Sequence, residues 1–363
     1  MGKIKSTTRR ALTTLICLSF SIITLSARTI EVGEGKAFSS ISAALHKAKA
    51  KDEILIYGKK IYKERLVIQK PITLKGVGTP IIDGGQRGDV IKVNADNVTI
   101  EGLQIQNSAR SSQVDYCGVH VKDAQFVTVR NCVFRKNQFS VMFQNCKNGL
   151  IANNNISSNI TYNPIMGNAV HCWKSDNMHI TGNNIGHNRD GIYLEFVNNS
   201  HIDHNTVSGC ARYGLHFMFS HFNVYNSNRF NHNQAGVAVM FAHNVEMINN
   251  TFEFNRGTSS YGLLIKELQY STIKWNRFLD NTVGLLIDGG SDLNVHHNVI
   301  KNNGWGMRLI SASTNDTIVH NNFLGNTFDM TTNVSYNRNN VNGNYWDKYE
   351  GYDLNKDGYG DVP

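Results

Sequence analysis

A repeat of about 22 residues is the feature that most restricts the fold of this chain. Segments that open with a small residue begin at Gly118 and recur at spacings of 22, 29, 22, 23, 22, 26, 22 and 22 residues. Two polar columns keep register with these segments. They consist of Asn154, Asn183, Asn205, Asn228, Asn250, Asn276, Asn298 and Asn321, and of Asn159, Asn188, Cys210, Asn233, Asn255, Asn281, Asn303 and Asn326.

Such a repeat predicts a solenoid in which each repeat forms one rung, meaning one full revolution of the chain. The short apolar segments lack a helical period, so we expect an all-β fold, a single-stranded right-handed parallel β-helix. We expect each asparagine to adopt the left-handed conformation at a corner and to bond the asparagine of the next rung, forming ladders. Nine rungs at the usual strand spacing predict a rod of roughly 40 Å.

The ends of the chain differ from the repeat. Residues 1–27 combine basic residues with the apolar run 11–25, which predicts a signal peptide and export. We predict a β-helix over 28–345, with an N-terminal cap at about 28–52 that includes a helix from Ser40 to Lys51. An Asp/Gly-rich segment, 346–363, closes the chain.

Charge argues against a nucleic-acid partner, and the number of cysteines argues against a disulfide framework. The formal net charge is +8, from 36 basic and 28 acidic residues, and four of the basic residues lie in the predicted signal peptide. The remaining excess is small and forms no basic stripe, so we predict no nucleic-acid partner. Five cysteines remain after removal of Cys17, and an odd number argues against a disulfide framework.

Soft metal ligands recur at the repeat spacing. Met218-Phe-Ser-His221 and Met240-Phe-Ala-His243 are 22 residues apart, so their side chains should stack on adjacent rungs. Thioether and imidazole suit monovalent copper, and we predict a copper site at these four residues. A weaker copper set shares the neighbouring outward row: His120, Met142, His171 and His216. The alternative is that these side chains only pack under a loop or against a partner.

The cysteines and the C-terminus give two further expectations. Cys132 and Cys210 occupy asparagine-column positions and Cys172 an inward position, so we interpret the cysteines as structural. The C-terminal segment matches a calcium-binding loop in the spacing of its oxygen ligands, although the usual twelfth-position acid is missing. The predicted ligands are Asp353, Asn355, Asp357, Tyr359 and Asp361; the alternative is a polar turn.

An enzyme of the β-helix class would need clustered carboxylates. The outward acids Glu195 and Asp288 are predicted to lie four rungs apart, about 19 Å at the strand spacing. Asp190 follows Arg189 at a corner, and we interpret the two as an ion pair. We therefore predict no enzymatic activity, with a secreted carbohydrate-active (pectate-lyase-like) enzyme or polysaccharide-binding protein as the alternative.

Four segments are more specific than the asparagine repeat: Gly214-Leu-His-Phe-Met-Phe-Ser-His221, Gly236-Val-Ala-Val-Met240, Ser260-Tyr-Gly-Leu-Leu264 and the ending that starts Gly343-Asn-Tyr-Trp-Asp. These segments resemble the NosD family of nitrous-oxide reductase maturation proteins. The resemblance implies a periplasmic β-helix accessory protein without enzymatic activity. It also implies interaction with the ATPase and membrane subunits of an ABC transporter, with nitrous-oxide reductase and with a copper chaperone. The cargo implied is copper, or the sulfur of the reductase's copper–sulfide centre.

Overall fold

The computed structural model describes residues 27–58, 60–158, 165–310, 313–333 and 338–361. The predicted signal peptide lies outside these residues, apart from its last position. The described chain forms one strand, Thr29–Val32, then an α-helix, Ile41–Lys47, and then strands that wind into a solenoid of three strands per rung. All strand pairs are parallel and join each rung to the next, which confirms the predicted β-helix.

The strands form three stacked rows. The first row is Leu66–Ile68, Ile91–Val93, Cys117–Lys122, Phe139–Gln144, Val170–Trp173, Ile192–Glu195, Tyr213–Met218, Ala235–His243, Tyr261–Gln269, Val283–Ser291, Trp305–Ile310 and Phe328–Thr332. The second row is Thr29–Val32, Glu53–Tyr57, Thr73–Val77, Thr99–Glu101, Thr128–Arg130, Leu150–Ala152, His179–Thr181, His201–Asp203, Val224–Asn226, Glu246–Ile248, Thr272–Lys274, Asn294–His296, Thr314–Val319 and Arg338–Asn342. The third row is Ile61–Tyr62, Ile81–Asp83, Gln104–Gln106, Val133–Arg135, Asn155–Ser157, Asn184–Gly186, Thr206–Ser208, Arg229–Asn231, Thr251–Glu253, Arg277–Leu279, Val299–Lys301, Asn322–Leu324 and Tyr345–Trp346.

The core is a column of stacked apolar side chains inside the solenoid. Phe230, Phe252 and Phe278 are fully buried, and their ring centroids are 5.7 and 4.8 Å apart on successive rungs. On the first row, positions one and three after the small residue point inward, as Val119 and Val121 do. Alternation along the strand then turns positions two and four outward.

The first asparagine column forms a continuous buried ladder, as predicted. In each step the side-chain amide donates to the Oδ1 of the next asparagine at 2.9–3.1 Å, from Asn154 through to Asn344. The backbone N–H of the same residue donates to that oxygen too, as from Asn228 to Asn250 at 3.0 Å. Each ladder asparagine is thus bonded to the next rung through both its side chain and its backbone.

The expected left-handed conformation of these asparagines is wrong. The left-handed residue is the one before each ladder asparagine, such as Asn249 with φ of 55° or Trp275 with φ of 56°. The preceding residue makes the sharp bend, and the ladder asparagine then points inward to bond the adjacent rung.

In the second column, the backbone N–H of Asn233 donates to Asn255 Oδ1, and from Asn255 to Asn326 each side-chain amide donates to the next asparagine. Cys210 interrupts this column, because its thiol cannot replace an amide oxygen, although its N–H still donates to Asn233. Asn188, one rung before Cys210, has a buried Nδ2 without a hydrogen-bond partner among the described residues. Asn159 of the predicted column lies outside the described residues.

The N-terminal helix packs against strands of the first rungs and is shorter than the predicted helix from Ser40 to Lys51. Ser40 caps it, and the Glu64 carboxylate accepts the N–H of Ile41 at 3.1 Å and of Ser42 at 2.8 Å. Negative charge at these free N–H groups stabilises a helix start. The helix ends at Lys47 because Ala48 is extended, with ψ of 144°.

We expect Asn250→Ala to lower the free energy of unfolding by about 3 kcal/mol, because buried donors and acceptors on both neighbouring rungs lose their partners. Denaturant unfolding followed by circular dichroism measures the effect. Asn294→Ala, at an exposed strand position, is the matched control and should change stability by less than about 0.5 kcal/mol. Equal unfolding midpoints for the two variants would contradict a stabilising ladder.

Candidate functional site

The first strand row places the weaker predicted copper residues side by side. Strand register pairs each with the next along what we call the outward row: His120, Met142, His171, Tyr193 and His216. The fourth position after each small residue forms a parallel row, in which Glu195 pairs with Met218 and Met218 with Met240. The predicted alignment of sequence-distant ligands is therefore present.

The rings of the outward row stack. Centroid distances are 5.9 Å from Phe139 to His171, 4.8 Å from His171 to Tyr193 and 4.6 Å from Tyr193 to His216. Tyr193 thus lies between the two imidazoles. In this arrangement one ion cannot bind both, since two ligands of one ion must approach within about twice a metal–nitrogen bond of roughly 2 Å.

Outward does not mean exposed in this row. Met142, His171 and His216 are 6%, 8% and 5% exposed, because each stacked side chain covers the face of the next. Both ring nitrogens of His171 and of His216 lack a hydrogen-bond partner among the described residues. Carboxylates lie just beyond hydrogen-bond distance, with His216 Nδ1 3.8 Å from Asp190 Oδ2 and His171 Nε2 3.9 Å from Glu195 Oε2.

A buried ion pair lies beside this stack. Asp190 is fully buried, and the Arg212 guanidinium donates to it with Nε at 2.8 Å from Oδ1. Burial opposes ionisation of Asp190, but the hydrogen bond from Arg212 prevails and lowers its pKa to about 2. The predicted ion pair between Asp190 and Arg189 is wrong, because Asp190 pairs with Arg212 from the next rung.

Burial also controls the titration of the row. It lowers the pKa of His171 to about 4, with a smaller contribution from the charge of Arg189, and so keeps the imidazole neutral. Burial raises the pKa of Tyr193 to about 12. A neutral imidazole is the form that binds metal ions.

The four main predicted copper ligands form two stacked pairs, which we call the Met pair (Met218, Met240) and the His pair (His221, His243). The Met pair continues the strand face, where Tyr193 Oη donates to Met218 Sδ at 3.6 Å. The His pair follows the corner made by left-handed Phe219, and its rings are 3.9 Å apart. All four side chains are half-buried, although we expected an exposed patch.

Hydrogen bonds place the proton of a neutral imidazole on different ring nitrogens in His221 and His243. The Nδ1 of His221 accepts the N–H of His243 at 3.3 Å, so a neutral His221 carries its proton on Nε2. The Nδ1 of His243 is 2.8 Å from Asn244 Oδ1, an acceptor, so its proton lies on Nδ1. His243 Nε2 therefore has a free lone pair for a metal ion.

Stacked phenylalanines border both pairs. Phe196, Phe219 and Phe241 all adopt left-handed backbone conformations, and their successive ring centroids are 5.2 Å apart. Left-handed conformations are costly for bulky residues and persist where surrounding packing imposes them. The stack gives the Met and His pairs an apolar border.

A third group was missed by sequence reasoning. The ligand atoms of Asp89, Cys117 and His120 lie within 4.8 Å of one another. Cys117 had been interpreted as structural, and Asp89 lies one rung earlier, in an irregular region without the repeat signature. The spacing of Cys117 and His120, on one strand, was the available signal. Cys132, Cys172 and Cys210 are buried in the core, as predicted.

The C-terminal segment forms a loop held by its own acids. Asp353 accepts the N–H groups of Asp357 at 3.1 Å and of Gly358 at 2.9 Å. Asp361 accepts the N–H of Leu354 at 2.7 Å. The Asn355 side chain donates to Asp357. Together with Tyr359, the predicted calcium ligands are thus on one exposed loop, where backbone amides bind their carboxylates.

The match to a family model decides the family. The model described as periplasmic copper-binding protein (NosD) matches residues 51–169 and 159–351. The chain belongs to the NosD family. It is 27% identical over 320 residues to the probable ABC transporter binding protein NosD of Pseudomonas aeruginosa, covering 83% of this chain and 74% of that protein. A protein of the same name from Stutzerimonas stutzeri is 32% identical over 121 residues, 28% of each chain.

Solved structures share the fold of this NosD chain at low identity. The A-module of a mannuronan C-5 epimerase from Azotobacter vinelandii has a TM-score of 0.58 and 14% identity, covering 84% of this chain and 95% of the module. The surface adhesin PfbA of Streptococcus pneumoniae has a TM-score of 0.61 and 12% identity, covering 78% and 86%. These structures include an enzyme and an adhesin, so the fold does not assign an activity.

Among the described residues, the structure contains no helix with the length and apolarity needed to traverse a bilayer. The family's description as periplasmic fits the predicted localisation.

We expect His171→Phe to reduce the sensitivity of this protein to acid. The unfolded imidazole binds a proton below pH about 6.5, whereas the buried one does so only near pH 4, so the native state loses stability as the pH falls between these values. At pH 5 this amounts to about 2 kcal/mol. Denaturant midpoints at pH 7 and pH 5 should therefore differ less in the variant. His201→Phe, at an exposed site, should behave like wild type; an unchanged pH response in His171→Phe would contradict a neutral buried imidazole.

Proposed function

We propose that this protein receives monovalent copper in the periplasm and hands it on during maturation of the copper–sulfide centre of nitrous-oxide reductase. Its partners would be an ABC transporter, with ATPase and membrane subunits, the reductase and a copper chaperone. The stacked Met and His pairs carry the proposal, because they bring soft ligands from adjacent rungs to one edge of the solenoid. The family's description as copper-binding supports it.

The ligand types suit transfer. Thioethers and imidazoles favour monovalent copper, and neither carries a charge that would hold the ion tightly. The sulfur of Met218 accepts only a weak hydrogen bond from Tyr193, and His243 Nε2 has a free lone pair. A half-buried site of this kind can accept an ion from one protein and release it to another.

We expect the quadruple variant Met218→Ala, His221→Ala, Met240→Ala, His243→Ala to lose one equivalent of bound monovalent copper. The measurement is anaerobic titration of the purified protein against a chromophoric copper chelator, with folding checked by circular dichroism. A second variant, Met218→Leu and Met240→Leu, keeps the apolar volume while removing both sulfurs. It should weaken binding by about tenfold or more.

The matched control is another stacked histidine group. His297 and His320, with ring centroids 5.4 Å apart, are left-handed, a conformation that asparagine tolerates. The double variant His297→Asn, His320→Asn should keep wild-type copper affinity. Equal copper affinity of wild type and the quadruple variant would overturn the proposed site. Binding of a sulfur species by a protein that takes up no copper would instead favour sulfur as cargo.

We also propose that the C-terminal loop binds calcium. Calcium should then raise the melting temperature through linkage, and Asp357→Asn should abolish that rise. The asparagine keeps an oxygen for the N–H of Tyr359, which Asp357 accepts at 2.8 Å, and removes only the charge. Glu350→Gln, at an exposed position before the loop, is the control. Identical melting curves of wild type with calcium and with chelator would leave the loop as a polar turn.

A further inference from the structure

Asp89, Cys117 and His120 lie together at the N-terminal end of the outward row. Their potential ligand atoms are within 4.8 Å of one another. A sulfur and a nitrogen donor on opposite sides of one ion, at bonds of about 2.3 and 2.1 Å, span about 4.4 Å, so a small movement of these side chains would close the group around an ion. Asp89 and Cys117 are buried, whereas the side chain of His120 is 20% exposed and gives the group contact with solvent.

The histidine faces two acceptors. His120 Nε2 is 3.4 Å from Gln144 Oε1, and His120 Nδ1 is 3.4 Å from Asp89 Oδ2. A neutral imidazole has one proton and can donate to only one of them. With that proton on Nδ1, the Gln144 amide can turn so that its NH2 donates to Nε2, and both contacts are then made without a cation. A metal ion on Nδ1, with Nε2–H donating to Gln144, also satisfies both, and such outer hydrogen bonds orient metal-binding histidines.

The remaining neighbours define the chemical class of the cation. Cys117 supplies sulfur, and the thioether-bearing side chain of Met142 belongs to the same buried cluster. The backbone N–H of Cys117 donates to Asp89 Oδ1 at 2.7 Å and so positions the carboxylate beside the thiol. Lys92 Nζ is 3.4 Å from Asp89 Oδ2, and its side chain is half-exposed, so it can move aside. Sulfur, imidazole and carboxylate together suit a thiophilic ion.

We propose that Asp89, Cys117 and His120 bind a thiophilic metal ion, monovalent copper or zinc, at a site separate from the Met and His pairs. Binding replaces the S–H bond of Cys117 with a sulfur–metal bond and releases the proton to water. Burial raises the pKa of the Cys117 thiol well above its ordinary value, so without a metal ion the thiol stays protonated. The site does not depend on the proposed copper transfer.

The experiment titrates the full chain anaerobically with monovalent copper and, separately, with zinc, in competition with chromophoric chelators. Wild type should bind one more equivalent of the preferred ion than Cys117→Ser, and the copper-loaded form should show ultraviolet thiolate-to-copper absorption. Cys132→Ser is the control, since Cys132 is equally buried but belongs to no cluster of potential metal ligands among the described residues. It should keep the full stoichiometry and the absorption.

Further variants separate this site from a folding defect and from the proposed transfer site. His120→Gln should lose the same equivalent, and Gln144→Ala should weaken binding about tenfold through the lost outer hydrogen bond. The quadruple variant of the Met and His pairs should keep the thiolate absorption. The proposal would be overturned if wild type showed no thiolate-to-copper absorption and bound the same number of copper and zinc ions as Cys117→Ser. This outcome would count against the site whatever the result at the Met and His pairs. If Cys117→Ser loses one bound equivalent of only zinc or only copper, that result identifies the ion that the site binds.

Discussion

The hydrogen bond between stacked asparagine amides is the interaction on which the rest of the structure depends. Each ladder oxygen accepts both a side-chain and a backbone N–H from the adjacent rung, as Asn250 does from Asn228. These bonds are buried, so a shift in register by one residue would leave several polar groups without partners. The ladder therefore fixes where each rung begins from Asn154 to Asn344.

Fixed register is what turns a linear repeat into a candidate site. Residues 22 apart become neighbours, so Met218 contacts the rung of Met240 and the ring of His221 stacks on that of His243. Insertions between rungs, as in the 29-residue spacing, do not disturb this alignment, because Met142 still pairs with His171 across it. The solenoid can vary its side loops while keeping the outward row aligned.

The repeat allowed the fold and the alignment of side chains to be predicted, because both depend on periodicity alone. Burial of the outward row could not be predicted, since it arises from ring stacking of Phe139, His171, Tyr193 and His216. The pairing of Asp190 with Arg212 likewise depends on side-chain reach between rungs. The Asp89 group was missed because the first rungs are irregular and give no register from which to place Asp89.

The spacing of rungs also influences what kind of metal site a β-helix can form. Strands about 4.8 Å apart place equivalent side chains at a distance somewhat larger than two ligands of one ion prefer. The His pair shows how side chains adjust, with rings only 3.9 Å apart. Ligands drawn from adjacent rungs must therefore lean together, and the backbone cannot follow because the ladder holds it. A site assembled in this way would bind copper less tightly than a preformed cage, which is the property that the proposed transfer requires.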